Sequence, residues 1–339
     1  MRIFKKVMKW AGLTLALLLV LGGAFIAHSW YFKPVNINIF FARAFLQVAL
    51  ESPEMLSSIH VLEQFGIKGH NAELDDASMA AGDQLFAHLK ESREILLTYE
   101  DEDLAEGDIM SKRIALHMMD MLTEAEKFRF HNYPLNQMFG VQNGFPSFME
   151  STHQVHNVRD AEDYVSRLSQ VGRKFDQVLD GLHHREELGI LPPQFVITKV
   201  LEEMRNFVAT PSEEGILMVS LTDKMKDAGL AESDQQRIAL NARDEIESTV
   251  YPAYERLISY FETLDNKVSE NNGVWALPDG EEFYRLAMRL FTTTDYSPEY
   301  LHNFGLSEVD RIQSEILGIL EAEGWDTTRG FEYAMVGTG

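Results

Sequence analysis

The 339-residue chain contains no cysteine. That excludes disulfides, thiolate metal sites and cysteine nucleophiles, and it excludes a lipid-modified cysteine at the end of a leader. Strong catalytic motifs are also missing. None of the 11 histidines is followed by glutamate, so the His-Glu-x-x-His helix of zinc hydrolases is absent. No P-loop, dinucleotide fingerprint or Gly-x-Ser-x-Gly elbow occurs. Ten prolines and 22 glycines are dispersed, without low complexity or a fixed-period repeat. Basic residues are scarce, 30 Lys and Arg against 53 Asp and Glu. Setting aside Arg2, Lys5, Lys6 and Lys9, which precede an apolar N-terminal run, 26 basic residues face 53 acidic ones, a net of −27. Such a surface repels nucleic acid and anionic lipid, so nucleic-acid binding is excluded. The acidic run Tyr99 to Asp108 reads as a solvated loop between helices rather than a cation site.

What the chain does have begins at its N-terminus. From Trp10 to Phe32 there is no Asp, Glu, Lys or Arg. These 23 residues, rising about 1.5 Å each, are enough to cross a hydrocarbon core roughly 30 Å thick. Trp10 lies at one end and Trp30 with Tyr31 at the other, where an aromatic belt sits. The segment reads as an uncleaved anchor within residues 1–33. The alternative is a signal peptide cut near Gly22 to Ala24. Either way the positive flank stays cytoplasmic and residues 34–339 are exported, which for an anchor means a single-pass protein of the bacterial inner membrane with a periplasmic main domain.

Helix punctuation recurs through the exported part. Ser52, Pro53 and Glu54 form an N-cap, a first-position proline and a first-turn acid, and Ser297, Pro298 and Glu299 repeat the pattern. Gly305 is placed to stop that second helix after one and a half turns, and Ser307 with Asp310 to restart another. In the restarted helix Val309, Ile312, Ile316, Ile319 and Leu320 share a face. Val196, Ile197, Val200, Leu201, Met204, Phe207 and Val208 have helical spacing, and residues 108–128 form another amphipathic run. The alternation in Val35 to Phe40 follows the anchor directly and reads as a linker. The expected fold is all-α, a multi-helix body of roughly ten helices with one N-terminal transmembrane helix. No Gly/Ser linker divides residues 34–339, so one packed body is expected there.

Chemistry-bearing residues are few. Glu150 with His153 and Glu299 with His302 are two Glu-x-x-His pairs, each on one helical face, as in di-metal carboxylate bundles. Roughly one such pair is expected by chance, and Glu299 also serves the helix dipole. His153 and His156 could hold half a zinc site but lack a neighbouring third ligand. Residues 129–150 mix aromatics with amides, including Asn136 and Gln137, which suits either a pocket for a peptide-like ligand or a buried loop. Residues 273–312 combine turn formers (Gly273, Pro278, Gly280), exposed-type aromatics (Trp275, Tyr284), the threonines Thr292 to Thr294 and His302, a histidine held between caps and suited to donate a hydrogen bond.

The motif Pro-Asp-Gly-x-x-Phe-Tyr at Pro278 to Tyr284, followed by Thr-Thr-Thr-Asp-x-Ser-Pro-Glu-x-x-His-x-x-Gly-Leu-x-Glu-Val at Thr292 to Val309, resembles the bacterial family called domain of unknown function 885. Segments 49–59, 128–140, 151–168 and 191–204 resemble it in order, so the likeness spans nearly all of the exported chain. The resemblance implies a mostly helical fold similar to zinc metallopeptidases. In complete relatives zinc-activated water would attack a peptide carbonyl, with a His-Glu-x-x-Pro-Gly-His-His motif beyond the 278–309 signature. That motif has no counterpart before Gly339, and Glu323 to Trp325 is only a superficial echo of the family's later glutamate. The chain is therefore expected to be a truncated, inactive, membrane-tethered N-terminal part, holding no cofactor itself. Tyr284 and His302 would lie on the substrate or oxyanion side, with Asn136, Gln137, Trp275 and Thr294 as ligand contacts. The rival expectations are a non-catalytic exported binding or scaffolding protein and, third, the di-metal bundle. Truncation would leave apolar surface exposed and favour association.

Overall fold

The computed structural model describes residues 2–264, 267–268 and 273–336. Every regular element among them is helical, and no strand is present in the described residues. They fall into two compact units, Met1–Gly273 and Val274–Gly339.

In the first unit α1 (Arg2–Tyr31) is the apolar N-terminal helix. Its Met8–Tyr31 stretch is long and apolar enough to cross a membrane, by length and composition, and is not buried in the protein. After five intervening residues α2 (Ile37–Leu50) begins, capped by Asn36, whose side chain accepts from the Asn38 N–H. The segment read as a linker, Val35 to Phe40, is thus largely the first turn of a helix. Ile37 and Phe40 are buried in it, because they meet Leu96 and Tyr99 in a small apolar cluster. What looked like period-two alternation is the start of a helical face.

The short α3 (Pro53–Ile59) has the expected caps: Ser52 accepts from the Met55 N–H, and Pro53 and Glu54 occupy the first turn. Next come α4 (Met79–Leu97) and α5 (Glu106–Ala125), which pack on each other. Then follow α6 (Val141–Ser151) and α7 (Val158–Glu187), the longest described helix after α1.

The core is built on α7. Ala161, Tyr164, Leu168, Val171, Phe175, Val178 and Leu182 are buried at alternating spacings of three and four, a continuous stripe down one side. Against it lie α9 (Ile216–Asp227), α10 (Glu232–Glu245) and α11 (Tyr251–Leu264), with α8 (Gln194–Ala209) packed on α11 and a π-helical turn at Ile246–Val250 joining α10 to α11. The α8 face anticipated from spacing is the buried one, Val196, Ile197, Val200, Leu201 and Met204. Each such side chain is worth about 1.5–3 kcal/mol relative to exposure. Buried tyrosines keep their hydroxyls satisfied: Tyr164 donates to the Leu217 carbonyl at 2.9 Å, Tyr254 to Gln142 at 2.5 Å and Tyr260 to Leu182 at 3.1 Å.

The polar flank of α7 does different work. Ser166, Gln170, Arg173 and Gln177 bond main-chain groups of residues 72–77, an extended segment without regular structure. A helix side-chain ladder replaces the neighbouring strand that this segment lacks.

The second unit holds α12 (Gly280–Thr292), α13 (Pro298–Ala322) and α14 (Phe331–Val336). Ser297 caps α13 as expected, accepting from the Tyr300 N–H at 3.1 Å. The break expected at Gly305 does not occur, and α13 runs through it for 25 residues. Gly305 is not left-handed, and Ser307 donates back to the Phe304 carbonyl at 2.7 Å instead of capping a new helix. His302 is therefore in a long helix rather than between two caps.

Gly280 is where a glycine is required. A Cβ built there would lie 2.0 Å from the Val274 carbonyl oxygen and 2.9 Å from its carbon. Gly280→Ala is expected to disrupt the start of α12 and lower the stability of this unit by about 2 kcal/mol or more, read from thermal unfolding. An unchanged transition would show that the close approach relaxes freely.

Candidate functional site

The best-formed polar site lies in the first unit, where α3, the turn of residues 60–71 and the N-terminus of α7 meet. It is a recess of about 470 Å³ lined by His60, Glu63, Gln64, Lys68, Asn71, Thr152, Gln154, His156 and Asp160. Local rules explain the walls. Asn157 caps α7 by accepting from the Asp160 N–H, and Asp160 returns the favour by accepting from the Asn157 amide and the His156 N–H. Its carboxylate then takes the Lys68 ammonium at 3.0 Å. His60 sits at φ 50°, a left-handed conformation that ends α3, and Glu63 is held 3.5 Å from the His60 ring and 3.0 Å from that of His70.

Behind the recess is a buried polar centre. Arg167 is fully buried on α7 and donates to the Glu73 carbonyl at 2.9 Å, the His70 carbonyl at 3.0 Å, Ser57 Oγ at 2.6 Å and His153 Nδ1 at 2.7 Å. A guanidinium only donates, so His153 Nδ1 is the acceptor and its proton sits on Nε2, which donates to the Asp160 carbonyl at 2.9 Å. Burial, followed by the Arg167 charge, pushes His153 down to about 3. Burial also brings Arg167 down to about 10, which leaves it charged at neutral pH. Lys224 completes the centre by donating to the Met149 and His153 carbonyls at the end of α6, and burial lowers it to about 8.

This geometry sorts the residues singled out by the sequence. Both ring nitrogens of His153 are occupied, so it is neither a metal ligand nor a proton carrier at neutral pH, and the His153–His156 half-site is not formed. Glu150 and His153 belong to the first unit, Glu299 and His302 to the second. Among the described residues no three His, Asp or Glu side chains are grouped to hold a metal. Asn136 is a turn former: its Oδ1 accepts from the Met138 and Phe139 N–H groups and its Nδ2 donates to the Tyr133 carbonyl. Gln137 is exposed. On the second unit Trp275, Tyr284 and His302 are exposed, and the Thr294 and Thr292 hydroxyls share a 2.9 Å hydrogen bond.

Sequence reasoning missed Arg167, Lys68 and Asp160. Arg167 had a legible signal, a lone cation one residue before the buried Leu168 on the apolar stripe of α7. At the start of α13 it missed an exposed ladder: Tyr296, just before the helix, stacks on Tyr300 at 4.4 Å between ring centroids, and Tyr300 on Phe304 at 6.3 Å.

Because His153 is neutral in the fold and ordinary when unfolded, the unfolded chain gains a proton first as pH falls. Stability from this group is complete above pH 6.5 and is lost toward pH 3, by about 1.4 kcal/mol per pH unit at most. His153→Gln, which can make both hydrogen bonds, should flatten the fall in stability between pH 6 and 4 by about one proton, measured by denaturant titration at each pH. Parallel curves would disprove the assignment. Arg167→Met, which strands four acceptors, should cost about 3–5 kcal/mol in the same assay.

The match to known proteins is at the level of family and fold. No curated protein matches the chain. A solved structure, of "the putative lipoprotein from Colwellia psychrerythraea", is similar with a TM-score of 0.73 at 19% identity, over 84% of this chain and 51% of that one. This chain thus spans about half the length of that protein, and the likeness shows a shared fold. The family model described as bacterial protein of unknown function, DUF885, matches residues 61–335. That match covers most of the sequence, from α3's end to the last helix, and the chain belongs to the DUF885 family.

Proposed function

We propose that this protein is a membrane-tethered helical binding body that presents the aromatic face of its second unit to a peptide-like ligand. The observation that carries the reading is the exposed ladder of Tyr296, Tyr300 and Phe304 at the start of α13, with Tyr296 two residues before the helix. Flat rings at i, i+4 and i+8 offer a long apolar strip whose rims still hydrogen-bond through two hydroxyls. Trp275, Tyr284, Thr294 and His302 are the polar and aromatic groups of the same unit proposed to contact the ligand, with Tyr284 and His302 as hydrogen-bond donors to a carbonyl. Tethering rests on α1, which fits either an anchor or a signal sequence. The envelope location agrees with the lipoprotein description of the similar structure.

Zinc hydrolysis, which the family resemblance implies for complete relatives, is the second reading. The described residues of this chain do not fit a catalytic zinc. The best-placed histidine, His153, has both nitrogens bonded to protein. The similar solved chain is nearly twice as long as the matched portion, which leaves room in relatives for ligands from elsewhere. No step through zinc is assigned to these residues.

The test uses the full chain in phosphatidylcholine nanodiscs with a Phe-Ala-Phe-Ala tetrapeptide and equimolar zinc. Saturable change in Trp275 fluorescence is expected, weakened tenfold or more by Tyr300→Ala with Phe304→Ala, and no peptide cleavage. Stoichiometric zinc with chelator-sensitive cleavage would replace this reading by the hydrolytic one. Absence of any peptide response, or one that persists in Trp275→Phe, would overturn it.

A further inference from the structure

Helix α2 has apolar groups on both sides. Its sequence, INIFFARAFLQVAL, holds one ionisable residue, Arg43. That charge does not face water. Arg43 is 6% exposed and its Nη1 donates to the carbonyls of Ser29 at 3.4 Å, Trp30 at 3.3 Å and Phe32 at 2.8 Å, the last groups of α1. A cation is thus used to satisfy the orphan carbonyls and negative dipole end of the apolar helix. The inner side of α2, with Ile37 and Phe40, is covered by the α4–α5 pair. Its other side shows Phe45 at 47%, Leu46 at 38% and Leu50 at 54% exposure, while Val48 lines a separate recess with Glu51, Asp75 and Asp76.

We propose that this outer side of α2 lies in the headgroup–acyl boundary of the membrane crossed by α1, so that the protein is held by a span and an in-plane helix together. The inference rests on reading α1 as a retained anchor. The lipid surface is the occupant because the face is continuous with the membrane helix. Arg43 brings the middle of α2 within one side chain of the end of α1, and Ser29 is the first buried residue after a fully exposed run. Two further contacts fix the height of the junction: Lys33 donates to the Thr98 carbonyl at 2.8 Å, and Tyr99 to the Pro34 carbonyl at 2.6 Å. Trp30, Tyr31 and Phe32 supply the interfacial aromatic belt at the same level. Helices of this kind usually carry basic residues that attract anionic lipid. Here Asn38 contacts Asp108 in the acidic stretch instead, so insertion is apolar in origin and independent of anionic lipid.

Depth-dependent quenching in phosphatidylcholine vesicles decides this, with bromine placed either high or deep on the acyl chain. In one full-length variant Trp275 and Trp325 are replaced by Phe, so that Trp10 and Trp30 report on α1. In a second, all four native tryptophans are replaced by Phe and Phe45→Trp reports on α2. Both are expected to be quenched, the Phe45→Trp probe at least twofold more by shallow than by deep bromine, equally at low and high salt. An unquenched Phe45→Trp probe beside quenched α1 reporters overturns the in-plane helix while leaving the anchor standing; if that probe is then shielded in a concentration-dependent way, the face belongs to a second copy. Unquenched α1 reporters overturn the anchor itself. Leu50→Trp serves as the replacement probe where Phe45→Trp lowers the far-ultraviolet helicity.

Discussion

The buried guanidinium of Arg167 is the constraint around which the first unit is organised. It has no carboxylate in direct contact. Its acceptors are two carbonyls, a hydroxyl and a neutral imidazole, drawn from positions 94 to 110 residues away on one side and from His153 on the other. Glu54, Asp163, Asp75 and Glu63 balance the charge at longer range. A buried cation left short of acceptors costs several kcal/mol, so the segment from Ser57 to Glu73 has little freedom to sit elsewhere. Fixing that segment sets the main-chain ladder of Ser166, Gln170, Arg173 and Gln177 in register, and with it one wall of the polar recess.

The same constraint decides which groups remain for chemistry. His153 is consumed as an acceptor, Lys224 as a helix cap, and Asp160 as a partner of Lys68. His153 and Lys224 have the features often associated with catalytic groups: burial, altered proton affinity and a location at the back of a cavity. Here each perturbation traces to a saturated structural role. The groups that still reach solvent are His60, His156, Gln64 and Gln154 at the recess and the aromatic ladder at the start of α13. A binding function suits that inventory better than general acid–base chemistry.

Much of the architecture was legible because helices announce themselves locally. The Ser-Pro-Glu starts at 52 and 297 and the α8 spacing depend on residues within one or two turns of each other. The errors arose where a local signal was outvoted. Gly305 carries a stop signal, yet without a left-handed turn or a following proline a mid-helix glycine costs only about 1 kcal/mol, and the cooperative helix continues. Val35 to Phe40 looked like a linker because the burial of Ile37 and Phe40 depends on Leu96 and Tyr99, some sixty residues away. The site was less legible still. His153 looked like half of a metal pair from its neighbours in sequence, while its partners Arg167 and the Asp160 carbonyl are set by the packing of α7 against the end of α6. The family likeness located the 278–309 signature but not the stacking of Tyr300 with its neighbours.

The chain also distributes its apolar surface unevenly among its helices. Helices α7, α8 and α11 turn most of their large apolar residues inward. The α5 helix instead keeps Met110, Ile114, Met118 and Leu122 exposed at four-residue spacing, and α13 exposes Val309, Ile312 and Ile319. Two unpartnered apolar stripes would ordinarily drive self-association. The excess of acidic over basic residues opposes this, because copies approaching through any such stripe also bring together strongly negative surfaces. Negative charge of this kind opposes contact between copies most, and approach by neutral or basic groups least.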